Sequence, residues 1–226
     1  MTSKALFRRN LKAMRDVAPQ LADALEAIEE PQSKLVKQDG GWNIDLGHAM
    51  FYDSDAEDFA RRQFAEYSYN PIRIEFSTPG RIVDPPCVVT RTAINNLIDQ
   101  VAEAGIVAED RLASEDGRYL VVLGVGLGYH VGSLIERYDV VNVVLIEQFI
   151  EFIWHSAHIQ PWWKWMRMLK KRKGGVTLIL GTDSNLIMTS LTNALRLEQG
   201  GLMDGTYIYT HYRSTLMRDI HRKIDE

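Results

Sequence analysis

A glycine-rich loop between two apolar segments is the feature that most constrains the fold of this chain. Residues 119–123 form a continuous apolar run, Gly124, Gly126 and Gly128 follow it directly, and a second apolar run covers residues 140–146. Continuous apolar runs of this length are typical of strands buried on both faces, as in parallel sheets that helices cover. The pattern predicts a strand, a tight glycine turn, a helix and a second strand parallel to the first.

The alternation of helices and strands continues to the end of the chain. Apolar strands are predicted at residues 176–180 and 206–210, with a helix between them and an amphipathic helix after the second. Consecutive strands that are separated by helices pair in parallel. We therefore predict an α/β fold with a Rossmann-like, mostly parallel sheet.

The first third of the chain has a different pattern. Apolar residues recur in steps of three and four through residues 1–30, which predicts helix packed on its own domain, with Pro19 beginning a second helix. A turn at residues 39–41 predicts a β-hairpin. Ser54 and Glu57 have the spacing of a capping box, which predicts that a helix begins there.

A loop rich in proline predicts the boundary between these two regions. Residues 72–76 alternate like an edge strand, and residues 79–86 contain three prolines and a glycine. We predict an N-terminal segment of helices, hairpin and edge strand over residues 1–86, and a Rossmann-like α/β domain over residues 87–226.

The glycine loop also predicts a ligand site. Glycines let a ligand approach the backbone closely, and a helix that begins at Tyr129 and His130 offers N–H groups to an anion. Glu147 ends the next strand, where a carboxylate accepts hydrogen bonds from ribose hydroxyls, and Asp183 follows the third strand at the same edge of the sheet. These residues predict binding of a nucleotide or a similar ligand, unless the glycines serve only close packing and Glu147 is solvated.

One enzyme class shares this kind of loop. The loop resembles that of class I methyltransferases, (D/E)-x-G-x-G-x-G, which bind S-adenosylmethionine. Val122 stands where that family has the acid, and no N-P-P-Y or D-P-P-Y motif follows the fourth strand. His211 lies at that point, and a lone histidine at a strand end is more often structural than catalytic. A methyltransferase is therefore an alternative hypothesis.

An aromatic and basic segment predicts a surface for a partner. Trp162, Trp163 and Trp165 alternate with lysines and arginines over residues 162–173. Exposed tryptophans are common at protein interfaces, so Trp162 and Trp165 are candidate partner-binding residues of a non-catalytic interaction module. The other interpretation is an amphipathic helix with its tryptophans in the core and its lysines outside.

Composition excludes several classes of protein. The net charge of −4 argues against broad binding of nucleic acid. Cys87 is the only cysteine, so a disulfide within the chain and a thiolate metal site are excluded, and we predict no metal. No apolar stretch is long enough to cross a membrane, so we predict a cytoplasmic protein without membrane insertion.

Several segments together resemble one protein family. They are FRRNLKAM near the start, FYDSDAEDFARRQF followed by NPIR, VVLGVGLGYHVGSLIE, VLIEQFIEFIW and the C-terminal strand and helix. The combination resembles the N-terminal domain of the motility accessory factor (Maf) family of bacterial flagellin glycosyltransferases, over nearly the whole chain.

This resemblance implies a role around the bacterial flagellum. The family transfers nonulosonic acids from CMP-sugars to Ser or Thr of flagellin, so flagellin is the expected partner and a CMP-nonulosonic acid the donor of the full-length protein. The family's transferase domain carries a G-x-G-P-S-L motif, which does not occur in this sequence. We therefore expect an accessory domain whose catalytic domain lies elsewhere, and no catalytic residue is identified.

Overall fold

The computed structural model describes residues 3–38, 40–74, 88–105, 118–196 and 205–225. The strands within these ranges are β1 Lys34–Gln38, β2 Gly41–Asp45, β3 Tyr119–Leu123, β4 Asn142–Glu147, β5 Val176–Leu180 and β6 Tyr207–Thr210. The helices are α1 Ser3–Arg15, α2 Pro19–Glu26, α3 Ala56–Tyr69, α4 Val88–Glu103, α5 Tyr129–Arg137, α6 Ile150–Ile159, α7 Trp162–Lys171, α8 Ser184–Arg196 and α9 Thr215–Asp225.

A parallel four-stranded sheet confirms the predicted fold class. The strand order is β5-β4-β3-β6, and every neighbouring pair in it is parallel. Strands β1 and β2 form the predicted hairpin as a separate antiparallel pair. Of the predicted edge strand, Arg73 forms an antiparallel bridge to Tyr207 of β6.

Helices cover both faces of this sheet. One face carries Leu120, Val122 and Leu145, which pack in one core cluster with apolar residues of α1, α2, α5, α6 and α7. The other face carries Val121 and Ile146, which pack with α8 and α9. Side chains of successive strand residues point to opposite faces, so a strand covered on both sides must be apolar throughout. This requirement explains the continuous apolar runs of β3 and β4.

The N-terminal helices belong to this core. Pro19 is the first residue of α2, as predicted, where its missing N–H costs no hydrogen bond. Asn10 of α1 is fully buried, and its amide donates to the carbonyls of Ala157 and Gln160 at 2.7 and 2.8 Å. The Asn10 side-chain oxygen accepts the N–H of Trp163 at 2.9 Å. One side chain thus satisfies backbone groups at the end of α6 and the beginning of α7.

Helix α3 corrects one local prediction. Its cap is Asp55 rather than Ser54, because the Asp55 carboxylate accepts the N–H of Asp58 at 2.8 Å. The predicted capping box of Ser54 and Glu57 therefore places the helix cap one residue too early. The predicted loop at residues 79–86, the boundary near residue 86 and Cys87 lie outside the described residues.

Candidate functional site

The strand order creates a crevice at the carboxyl end of the sheet. The chain runs from β3 to β4 and β5 in one direction, and then crosses to β6 on the other side of β3. Open α/β sheets bind ligands where the order reverses in this way, between the carboxyl ends of two neighbouring strands. The glycine loop follows β3 and residues 211–213 follow β6, so these two segments border the expected ligand site.

The N–H groups of the glycine loop all have partners within the protein. Of the five groups in residues 124–128, one donates to the carbonyl of Ile146, one to that of Val125, two to the carboxylate of Glu147 and one to the hydroxyl of Tyr52. These N···O distances lie between 2.8 and 3.3 Å. A loop that binds phosphate offers such groups to the ligand. Here the protein's own acceptors occupy them.

Glu147 is the centre of this arrangement and is fully buried. One carboxylate oxygen accepts the two loop N–H groups. The other accepts the N–H groups of Gln148 and Phe149 at 2.7 and 3.0 Å and the hydroxyl of Tyr212 at 2.5 Å. Burial raises the pKa of Glu147, while Tyr212 and the backbone donors oppose that rise. The solvated alternative for Glu147 is therefore wrong.

Aromatic side chains fill the space over the glycines. All three glycines have positive φ angles, between 51° and 82°. A Cβ atom on Gly124 would collide with the ring of Tyr212, and one on Gly126 would collide with the hydroxyl of Tyr52. Phe51 packs against the Tyr212 ring with centroids 5.1 Å apart. The close approach that Gly124 and Gly126 permit is thus made by the protein's own tyrosines.

A hydrogen-bond chain fixes one of these tyrosines. The Tyr52 hydroxyl lies 2.9 Å from Nε2 of His211, and Nδ1 of His211 lies 2.9 Å from Oε1 of Gln63. The Gln63 amide also donates to the His211 carbonyl at 2.9 Å. Burial lowers the pKa of His211 to about 3, so the imidazole is neutral at pH 7. His211 therefore has the structural role that the sequence favours.

His130 lies beneath the loop rather than at the surface. It is 1% exposed, and its ring stacks on those of His211 and Tyr209 with centroids 4.0 and 4.9 Å apart. Neither ring nitrogen has a hydrogen-bond partner among the described residues. Burial and the nearby imidazole of His211 lower the pKa of His130 well below its usual range. The His130 side chain is therefore buried in the core and is not exposed at the crevice.

The remaining predicted ligand residues lie further from the crevice centre. Asp183 is exposed, and its carboxylate accepts the N–H groups of Asn185 and Leu186 at 2.8 and 3.2 Å. It thereby caps the beginning of α8. Tyr129 is half-buried, and burial together with the nearby Glu57 and Asp55 carboxylates raises its pKa to about 12.

The tryptophans of α7 require a correction. Trp162 and Trp165 are 0% and 5% exposed, so they pack in the core and have no surface for a partner. The Trp162 indole N–H donates to the Ser156 hydroxyl at 2.8 Å. Helix α7 buries one face, and its period of 3.6 residues leaves Trp163 between the buried and exposed sides. Trp163 is half-buried, and the Arg9 guanidinium lies 3.5 Å from its ring centroid.

The described ranges contain neither a cluster of metal ligands nor a membrane-spanning helix. Those residues contain no group of three or more His, Cys, Asp or Glu side chains that is arranged to hold a metal ion. No helix among them has both the length and the apolar composition that a membrane span requires.

Sequence reasoning missed the side chains that close the crevice. Tyr52 comes from the segment after the hairpin, 75 positions before Leu127, and no local spacing connects the two. Tyr212 directly follows His211, so the strand prediction had placed it at the correct edge without giving it a role. The three glycines were the available signal. They indicate that some group lies close to the backbone, but they do not show which group it is.

The comparisons with known proteins agree with this architecture. A family model described as "Glycosyltransferase Maf N-terminal domain" matches residues 6–226. A solved structure, the Maf glycosyltransferase from Magnetospirillum magneticum AMB-1, matches 98% of this chain with a TM-score of 0.71 and 21% sequence identity. This chain covers 34% of that protein, so it spans about a third of the relative's length. A search of curated proteins found no match.

Proposed function

The chain belongs to the Maf glycosyltransferase N-terminal domain family, and we propose that it is the accessory domain of a bacterial flagellin glycosyltransferase. The reaction we propose for the whole protein is transfer of a nonulosonic acid from a CMP-sugar to Ser or Thr of flagellin, in the bacterial cytoplasm. The catalytic residues lie outside this chain in this proposal. The domain's own contribution is a rigid scaffold that docks other parts of the enzyme or its acceptor.

The observation that carries the accessory role is the complete use of the glycine-loop donors. A sugar nucleotide at this crevice would need backbone N–H groups for its phosphate and a carboxylate for its ribose. Glu147 and Tyr52 occupy those N–H groups, and Tyr212 occupies the carboxylate. A donor would have to displace all three side chains, and each would lose a hydrogen bond.

A transfer assay tests the proposal directly. The chain is incubated with a CMP-nonulosonate and purified flagellin, and the mass of flagellin is followed by mass spectrometry. We expect no added sugar, because the described residues at the crevice, Glu147 and His211 among them, are tied up in hydrogen bonds within the domain. Sugar transfer by this chain would overturn the accessory role.

The surface around Trp163 supports a second function, that of a protein-interaction module. The guanidinium of Arg167 lies 5.1 Å from the Trp163 ring centroid, on the same ring that Arg9 contacts. Lys12 and Lys170 border the same groove between α1 and α7, where Asp16 pairs with Lys170 at 2.7 Å. Tryptophan and arginine dominate binding energy at many interfaces. A positively charged groove with a half-buried tryptophan fits an acidic face of flagellin or of the rest of the enzyme.

A binding measurement with flagellin tests this surface. Trp163→Ala should weaken binding about tenfold or more, since a central tryptophan commonly contributes more than about 1.4 kcal/mol. The melting temperature should change little, because Trp163 is only half-buried. Trp154→Ala on α6, another half-buried tryptophan, is the matched control. Equal binding by wild type and Trp163→Ala would eliminate this surface.

The methyltransferase alternative depends on whether the crevice admits S-adenosylmethionine. In that hypothesis Gly124, Gly126, Gly128, Glu147 and Asp183 hold the cofactor. Calorimetry with S-adenosylmethionine separates the alternatives. Submillimolar binding that Glu147→Ala abolishes would revive the methyltransferase, and absence of heat at millimolar cofactor would eliminate it.

A further inference from the structure

A second concave site opens on the outer side of β6. This outer cleft has a volume of about 810 Å³ and lies between the C-terminal half of α3, the end of β6 and helix α9. Its volume lies within the range of about 300–1,000 Å³ that is usual for small-molecule sites. It is also at the carboxyl end of a parallel strand, the edge at which α/β sheets bind ligands. The outer cleft thus combines a suitable size with a suitable place in the fold.

Unpaired arginines give the outer cleft its charge. Arg213 and Arg218 line it and are exposed, and neither guanidinium has an ion pair or hydrogen bond within the described part of the chain. Arg222 also lines it and pairs with Asp219 at 2.7 Å. The one carboxylate among the described lining residues is Glu66. Guanidinium groups match the planar oxygens of phosphate and carboxylate, so this lining favours an anion.

The same cleft offers an aromatic and apolar surface. Tyr69 lines it and is 94% exposed, and Ile72 beside it is 45% exposed. Large apolar side chains at such exposure stand in solvent until something covers them. A tyrosine ring next to arginines suits a ligand that carries a sugar or base ring beside its charge.

The floor of the outer cleft is fixed before any ligand binds. Gln63 lies there with its amide bonded to His211, both to the ring nitrogen and to the carbonyl. The ring of Tyr209 meets that of Tyr67 edge to face with centroids 5.0 Å apart. Groups that are held in place lose little conformational freedom on binding, which favours affinity.

We propose that the outer cleft binds a small anionic ligand, a phosphate or carboxylate carried on a sugar or nucleoside ring. Arg213 and Arg218 contact the anion, and Tyr69 packs on the ring. Gln63 and Tyr209 form the polar floor. The proposal rests on the cleft by itself and does not depend on the flagellin reaction.

Calorimetry with matched probes tests this proposal and identifies the anion. Adenosine 5′-monophosphate is compared with adenosine, and glucuronate with glucose, at low and high salt. We expect one charged probe to bind at least about tenfold more tightly than its neutral counterpart, and to weaken as salt screens the charges. Tight binding of the monophosphate assigns a phosphate ligand, and tight binding of glucuronate assigns a carboxylate ligand. Equal binding of charged and neutral probes, or no binding of either charged probe at millimolar concentration, would overturn the proposal.

Variants then locate the binding. The double variant Arg213→Ala/Arg218→Ala should lose about a hundredfold in affinity for the charged probe, about tenfold for each guanidinium. Arg8→Ala/Arg137→Ala is the matched control, since it removes two exposed arginines elsewhere and should bind as wild type does. Arg213→Gln, which keeps a polar side chain in the turn before α9, gives a second measurement if the double variant melts early. Unchanged affinity in the double variant, or an equal loss in the control, would contradict the site.

Discussion

Two neighbouring places at the carboxyl edge of one sheet have opposite character in this protein. The crevice between β3 and β6 has the glycines, the carboxylate and the strand order of a nucleotide site, yet the protein's own side chains fill it. The outer cleft beside β6 has no such motif, yet it is open and carries unpaired arginines among the described residues. A sequence motif thus specifies backbone geometry, whereas the side chains that reach the site decide whether a ligand can enter it.

This difference also gives each place a distinct role. In the crevice, buried hydrogen bonds stabilise the fold, because each broken bond would leave a buried polar group without a partner. In the outer cleft, the charged groups are already solvated, so their removal changes binding rather than stability. Substitutions at the crevice should therefore change the free energy of unfolding.

Removal of the Glu147 carboxylate should have the largest effect. Glu147→Ala leaves two buried and two partly buried backbone N–H groups and the partly buried Tyr212 hydroxyl without their acceptor. We expect a loss of about 4 kcal/mol in the free energy of unfolding, since each buried unsatisfied group costs about 1–3 kcal/mol. Urea denaturation followed by circular dichroism measures this loss.

A conservative variant sharpens the interpretation. Glu147→Gln keeps the volume and one acceptor oxygen, so it should lose about half as much stability as Glu147→Ala. A loss below about 1 kcal/mol for Glu147→Ala would mean that the crevice is not held shut by this carboxylate.

A methyl group on the glycine loop should have the next largest effect. Gly126→Ala would collide with Tyr52 and His211, and it would hold alanine at a φ of 51°. We expect a loss of about 3 kcal/mol from overpacking together with backbone strain. Gly47→Ala is the control, because Gly47 also has a positive φ but nothing lies within 4 Å of its Cβ position. Its loss should be about 1 kcal/mol, and equal losses in the two variants would show that the loop is not tightly covered.

Acid should weaken the buried region around the crevice. Burial lowers the pKa of His211 to about 3, and it also lowers the pKa of His130. The unfolded chain, with histidine pKa values near 6.5, then binds protons that the native state does not. The stability from these neutral histidines is complete above about pH 6.5 and is lost as the pH falls. Glu147 has the opposite effect on stability. Because burial raises its pKa, its contribution to stability increases as the pH falls.

Unfolding measured at pH 7 and pH 5 tests this linkage. We expect the wild type to lose up to about 2 kcal/mol for each buried histidine over this interval. His130→Phe keeps a ring against Tyr209 and removes one of the proton-binding groups, so it should lose less than the wild type. His48→Gln is the control, since His48 is exposed. The same loss in all three proteins would contradict a neutral, buried His130.

The smallest effect is expected at Asp183, which follows β5 and lies away from the crevice. Asp183→Ala removes the cap of α8 and should cost about 1 kcal/mol. Asp183→Asn should restore most of it, because asparagine caps helices as well as aspartate does. Thermal denaturation of both variants measures the difference, and a cost above that of Gly126→Ala would reverse the order predicted here.

The fold was largely predictable because its signals are local. The apolar runs of β3 and β4, the positive φ angles of the glycine loop and the position of Pro19 each follow from neighbouring residues. The predicted cap of α3 was misplaced by one residue. Serine and aspartate are both favourable N-cap residues, and the sequence does not show whether the helix begins after Ser54 or after Asp55. The spacing of apolar residues predicted a helix at α7, but it did not show which of the three tryptophans is partly exposed.

The site was predictable only in part, because several of its side chains come from segments that are far apart in the sequence. The sequence placed Gly124, Glu147 and His211 at one edge of the sheet, since residues that follow parallel strands meet there. It did not place Tyr52 or Gln63, which lie 75 and 148 positions from their partners Leu127 and His211. The outer cleft has no sequence motif, because its walls come from α3, β6 and α9.

By itself, the sequence determined a parallel sheet with a glycine turn and two N-terminal helices, because strand and helix periods and glycine freedom are properties of adjacent residues. Only the tertiary structure decided that Glu147 is buried beneath Tyr212 and that Arg213 and Arg218 face an open cleft. Burial and hydrogen bonding depend on which distant segments pack together, and packing fixes both the pKa of a carboxyl group and the accessibility of a cleft.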